Sequence, residues 1–318
     1  MLSRVADSLY WMSRYLERAE HTARLLDLQL NLTLEQSTPE RDQGRWTRLQ
    51  SALRAACHVE SDDAFGVVRE LTFDPHNKAS VAAAIIGARE NARQVRERIS
   101  TEMWQQVNRL YLFIGESNAD TALNIEPHKF FQTVKDQVQM FQGVTDSTMS
   151  HNEGWDFIQL GRFIERASSI AALLDGHFST FPYIHPDVTH SDYFEWLGLL
   201  KSCTAFEAYV KVHTAELRPN YIAEFLLLNE EFPHSVRFAA DAIQSALSAI
   251  ADSTETRKSV RVHRLAGRLR AALSYDQIDD IMHGDIHAYL KDIQHQCAEI
   301  HTAAYETYIA YPVETMFR

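Results

Sequence analysis

The chain has 318 residues, of which 45% are hydrophobic and 23% charged, with a net charge of −12. This composition suits a soluble globular body with a sizeable core, as one large domain or two of ordinary size. So acidic a chain argues against a nucleic-acid surface, which requires clustered positive charge.

Only 11 glycines and 8 prolines punctuate the chain, so turns are few and an all-α fold of long helices is expected. The first helix has the clearest period. Leu2, Val5, Leu9, Met12, Leu16, Ala19, Ala23, Leu26 and Leu30 alternate steps of three and four, an apolar seam for another helix. Arg14, Glu17 and His21 project opposite that seam, yet Trp11, Tyr15 and Leu25 flank them. A helix covered on most sides, with partly enclosed charges, is the expected result. Glu35 to Gln43 reads as a loop, and helices are expected at about 43–57 and 61–71, the second capped by Ser61. After a break at Leu71 to Pro75, Ser80 is placed to cap a long helix reaching about residue 113. Gly115 to Pro127 reads as loop, 128–142 as helix, and Gly143 to Gly154 as a polar connection. Pro182, His185 and Pro186 mark the longest loop of the second half, and a last helix over about 276–310 is expected to bend at Gly284.

One stretch occurs twice. Arg14-Tyr15-Leu16-Glu17-Arg18-Ala19 returns as Arg162-Phe163-Ile164-Glu165-Arg166-Ala167, and eight of the fourteen positions from Arg14 to Asp27 are identical at an offset of 148. Trp46 and Leu49 correspond to Trp196 and Leu199 at offset 150, and Leu71, Ser80 and Val81 to Leu226, Ser235 and Val236 at offset 155. The ordered drift is what loop insertions produce. The expected architecture is a single helical bundle, one domain over 1–318, built from an internal duplication with halves of about 1–150 and 151–318. The two motif helices would then pack near a pseudo-twofold axis.

Two readings of the repeated charges stand side by side. Arg14, Arg18, Arg162 and Arg166 with Glu17 and Glu165 form either a buried ion network docking the halves or a grip on an anionic substrate or partner, since guanidinium forks suit carboxylate and phosphate. Glu17 and Glu165 are also the candidates for acid–base catalysis. Arg89, Arg93 and Arg96 share one face of the long predicted helix with Ser100, as solvated surface or as a basic stripe towards a cavity or partner.

Neither motif copy supplies the Glu-x-x-His pairs of a dimetal bundle. Asp280, His283 and His287 have helical ligand spacing, but Gly284 interrupts it. No resident metal is expected. No Walker loop, Gly-x-Gly-x-x-Gly or Gly-x-Ser-x-Gly occurs, so no nucleotide cofactor or nucleophile elbow is expected. Cys57, Cys203 and Cys297 fit no zinc or disulfide pattern, which points to the cytoplasm. The charged N-terminus is no signal peptide, and no apolar run of about 18 residues suggests a membrane span.

The chain resembles the bacterial alpha-E domain family. The resemblance rests on Leu9 to Asp27, Ala88-Arg89-Glu90-Asn91-Ala92-Arg93, Glu102-Met103-Trp104 reaching Asn108, and Leu160 to Ala167. Glu224-Phe225-Leu226-Leu227 and Phe232-Pro233-His234-Ser235-Val236-Arg237 extend it across nearly the whole chain. His234 stands where arginine is expected, and Ser13 where glycine is frequent. The resemblance implies association with a circularly permuted ATP-grasp amide ligase, often together with a transglutaminase-like protease, in making an amide- or peptide-linked product. It makes the motif charges candidates for substrate or partner contact.

Overall fold

A computed structural model of the chain describes residues 3–34, 39–55, 57–58, 63–181, 192–214, 216–254 and 260–310. No strand occurs among them, so the fold is all-α. The first part runs through α1 (Ser3–Leu34), α2 (Pro39–Ala52), α3 (Ala64–Phe73), α4 (Val81–Gln94), α5 (Thr101–Glu116), α6 (Ala119–Asn124) and α7 (Pro127–Thr148). The second runs through α8 (Glu153–Thr180), α9 (Tyr193–Ser202), α10 (Phe206–His213), α11 (Pro219–Leu228), α12 (Val236–Thr254), α13 (Val260–Tyr275), α14 (Ile278–His283) and α15 (Ile286–Ala304). A π-helical turn, Tyr305–Ile309, follows.

The two motif helices, α1 and α8, pack against each other at the centre. Their seams close completely: Leu9, Met12, Leu16, Ala19, Ala23 and Leu26 on α1, and Phe157, Leu160, Ile164, Ala167, Ala171 and Leu174 on α8, are at most 2% exposed. Around α1 lie α4 and α7, bridged by α5; around α8 lie α12 and α15, bridged by α13. Two helices cross over, α2 onto α8 and α9 onto α1. One continuous apolar core results, from Val5 to Ile309.

The backbones of α1 and α8 approach closely because of one glycine. A methyl group on Gly161 would collide with Ser13 Oγ and the Tyr10 carbonyl oxygen. Ser13 itself is small and turns its hydroxyl back to donate to Tyr10 O at 3.0 Å. This contact brings the flanking charges of each helix within reach of the other.

Several expected boundaries move. The helix predicted from Ser80 to about 113 breaks at Val95, and a second helix starts where Ser100 Oγ accepts from Met103 N. Arg96 therefore leaves the face it was expected to share with Arg89 and Arg93. Helix α2 starts early, at Pro39, where a proline suits the first turn, and ends at Ala52 just before Arg54, whose φ is 51°. Asp63 caps α3 through Gly66 N; Ser61 lies outside the described residues, as do Pro182, His185, Pro186 and residues 35–38. The loop expected at Gly115 to Pro127 contains α6, capped by Asn118, and α7 extends to Thr148. The last helix is divided at Gly284, and Asp285 caps the second piece by accepting from Ala288 N. At the starts of α3, α5, α6 and α15 a short polar side chain, Asp63, Ser100, Asn118 or Asp285, accepts from a backbone amide and the helix begins there.

Candidate functional site

The motif glutamates pair across the α1–α8 crossing and not along their own helices. Glu17 of α1 takes Arg166 of α8 in a bidentate pair, Nε to Oε1 at 2.5 Å and Nη2 to Oε2 at 2.9 Å. Arg166 spends its third nitrogen on the Pro233 carbonyl, at 3.0 Å. Arg162 stands 3.7 Å from Glu17 and donates to Gln142 Oε1 at 2.7 Å. Both Glu17 and Arg166 are buried. Burial opposes ionisation of Glu17, but Arg166, Arg162 and Arg24 outweigh it and hold its carboxyl below the usual range.

Glu165 of α8 makes the reciprocal set with α1. Its Oε2 accepts from Arg14 Nε at 2.8 Å and its Oε1 from Arg18 Nε at 2.7 Å. Burial alone would raise this carboxyl, yet the Arg14 and Arg18 charges hold it at about 2. Arg14 also donates to Tyr10 OH at 3.1 Å, which lies 2.7 Å from His301 Nδ1, and its guanidinium stacks over Trp11 at 4.8 Å. Such packing fixes Arg14 in one pose.

The two clusters differ in what adjoins them. Beside Glu165 opens a cleft of about 210 Å³ lined by Arg14, Arg18, His21, Arg54, Lys78 and Ser169, among others. Arg54 donates to Ser168 Oγ at 3.0 Å and Gln294 Oε1 at 2.8 Å, both neutral. Glu165 is the one carboxylate in that lining. Beside Arg162 lies a crevice of about 20 Å³, lined by Gln142 and Ser13 among others, and Glu17 does not reach it.

Arg89, Arg93 and Arg96 are not brought to this crossing. Arg89 and Arg93 both pair with Glu90, at 2.6 and 2.9 Å, and Arg96 stacks on Trp104 at 5.2 Å. They form a surface patch on α4 and the connection to α5, away from the cleft lining.

A third buried cluster was not foreseen. Glu195 of α9 accepts from Arg45 Nε at 2.6 Å and Arg48 Nη2 at 2.5 Å, both on α2. Its signal was present in the repeat: Arg45 and Glu195 are counterparts at offset 150. Arg54 and Lys78 carried no such signal, because they sit in a turn and a loop outside any period.

His283 and His287 bond elsewhere, to Asp279 O and to Asp175, so the Asp280, His283, His287 spacing gathers no ligand set. Among the described residues His58, Glu70 and Asp74 lie within metal-ligand distance of one another. There Glu70 accepts from His58 N and Asn77 Nδ2, which fastens the loop before α4. No described helix is long and apolar enough to cross a membrane, and the three cysteines are free.

Over residues 1–309 the chain matches the family model Alpha-E, described as a predicted alpha-helical domain with a conserved ER motif. Glu17-Arg18 and Glu165-Arg166 are Glu-Arg pairs that meet at the crossing. Uncharacterized proteins of Mycobacterium bovis and Mycobacterium tuberculosis are similar to it, at 24% identity over 322 aligned residues covering 91% of this chain and 36% of theirs. The chain thus spans little more than a third of the length of the curated relatives it matches. No solved structure matches it significantly.

Proposed function

This chain belongs to the Alpha-E family, and from that premise we propose that it is an accessory module of a separate ATP-grasp amide ligase. It would receive an anionic group of the ligase's substrate, or of the ligase itself, in the cleft beside Glu165. The observation that carries the reading is the convergence of Arg14, Arg18, Arg54 and Lys78 on one cleft whose sole carboxylate is already paired. In a chain of net charge −12 this is a local reversal of sign, and it favours anions. The relatives carry roughly twice as much additional chain as the aligned part, which fits a module that works beside another activity. The ligase, a transglutaminase-like protease in the same pathway and a cytoplasmic setting come from the family resemblance.

Acid–base catalysis by this chain itself is the weaker reading. Glu17 and Glu165 are held ionised by arginines, and a carboxylate so stabilised is a poor base at neutral pH. The same pairing supports an internal duplication with pseudo-twofold symmetry. Counterpart residues touch one another, Ser13 with Gly161 and Arg45 with Glu195, as they do near the axis of a two-fold interface.

Co-expression with an ATP-grasp amide ligase from the same genome, followed by affinity capture, tests the proposal. A stable complex that survives washing is expected. Failure of the pair to co-purify at both low and physiological salt would overturn it.

A further inference from the structure

The cleft beside Glu165 has a definite donor set. Arg18 gives only its Nε to Glu165, so both terminal nitrogens remain for a ligand. Arg54 is bound only by the neutral oxygens of Ser168 and Gln294. Lys78 is exposed on the loop before α4, with no acidic partner among the described residues. Because Arg14 neutralises Glu165, three cationic heads face the cleft without counter-charge among the described residues.

A second observation points independently to a ligand. His21 lines the same cleft, is only 5% exposed, and its Nε2 has no hydrogen-bond partner among the described residues. A buried ring nitrogen without a partner is uncommon in folded proteins, and a ligand in the cleft would supply one. Burial and the Arg24 charge hold the ring neutral, at about 3, and in the tautomer protonated on Nε2 a small turn of the ring brings that donor to a ligand oxygen.

A single carboxylate would compensate one of the three cations. A phosphate monoester brings nearly two negative charges and three acceptor oxygens in one compact group, which matches the donor count. The cleft volume of about 210 Å³ leaves room for the bridging atoms of the ester.

We propose that this cleft binds the terminal phosphate of a phosphomonoester, with Arg18, Arg54 and Lys78 on the phosphate oxygens and His21 Nε2 on a further ligand oxygen. This rests on the reading of the cleft as an anion site, but not on any particular partner protein.

Titration calorimetry in 150 mM salt tests it, with inorganic phosphate, glycerol phosphate and succinate as probes of the full chain. Saturable binding of both phosphates is expected, at least about tenfold tighter than succinate. An Arg54→Ala, Lys78→Ala double variant should lose about tenfold or more in phosphate affinity, since it removes two charge-assisted contacts. Both residues are exposed, and circular dichroism should show an unchanged helical fold. No saturable phosphate binding, succinate binding as tightly as phosphate, or a double variant that binds as the parent does would each overturn the assignment. Failed phosphate binding with successful ligase capture removes this site alone; phosphate binding without capture removes the partner reading alone.

Discussion

The same six-residue motif has two environments in one molecule. At the Glu17 end, Arg166 is 3% exposed and its three guanidinium nitrogens are all spent on Glu17 and the Pro233 carbonyl. At the Glu165 end, Arg18 is 26% exposed and holds the carboxylate with one nitrogen only. Identical residues therefore serve as a closed lock in one copy and as the wall of an open cleft in the other. The difference arises from neighbours: α7 supplies Gln142 over the Glu17 copy, whereas the end of α2 and the loop before α4 stand back from the Glu165 copy and contribute Arg54 and Lys78. Which copy lines an open cleft is settled by the elements that cover it.

The largest expected effect breaks the closed side. Glu17→Gln leaves Arg166 buried without a counter-charge, and such losses cost about 3–5 kcal/mol; urea denaturation should show the midpoint fall. Glu165→Gln should cost visibly less in the same assay, because Arg18, 26% exposed and held by one nitrogen, can turn towards the cleft while Arg14 keeps Tyr10 and Trp11 as partners. Equal losses would erase the distinction between the two ends.

The crossing that holds both clusters can be stressed directly. Gly161→Ala places a methyl group against Ser13 Oγ and the Tyr10 carbonyl oxygen, and overpacking of this kind costs about 1–3 kcal/mol. Adding Ser13→Gly should recover part of the loss, since it removes one of the two colliding atoms. Thermal unfolding of the two variants side by side provides the check.

Acid should find the histidines first. His21 and His177 are buried and held neutral, His21 by burial and Arg24, His177 by burial and Arg48. Their folded values lie below that of the unfolded chain, about 6.5, so the unfolded state takes up protons first. Stability should thus decline as pH falls below about 6.5, by up to about 1.4 kcal/mol per pH unit for each histidine. Glu17 and Glu165 are also depressed, and their contribution is present above about 4.3 and lost as pH falls below it, for Glu165 towards about 2. His21→Leu should flatten the profile between pH 6.5 and 4.5, as measured by urea midpoints across that range; an unchanged slope would show that His21 is protonated in the fold. The smallest effect is expected for Arg18→Ala, under about 1 kcal/mol, as for other partly exposed ion pairs.

Much of this was legible in the chain. The repeat at offset 148 located both clusters, and the step of three and four located both seams, because core-facing periodicity survives any change in loops. The choice of partners was not legible, since Arg14 and Arg18 lie near enough to Glu17 on their own helix to pair with it. The close approach at Gly161 decided otherwise, and a glycine in a helix announces proximity without saying to what. Continuous helix propensity over 80–113 masks the break at Val95, although Ser100 offers a local cap there. The cleft was hidden for a different reason. Arg54 and Lys78 come from a turn and a loop, where no period predicts direction, and only tertiary packing sets them beside Arg18.

The central claim is that the motif copies exchange partners across the α1–α8 crossing, and a double-mutant cycle on Glu17 and Arg166 tests it most directly. Urea unfolding of Glu17→Gln, Arg166→Ala and the double variant should give a coupling energy above about 1.5 kcal/mol, as expected for contacting charges. Additivity within about 0.3–0.5 kcal/mol, the behaviour of independent sites, would contradict the exchange.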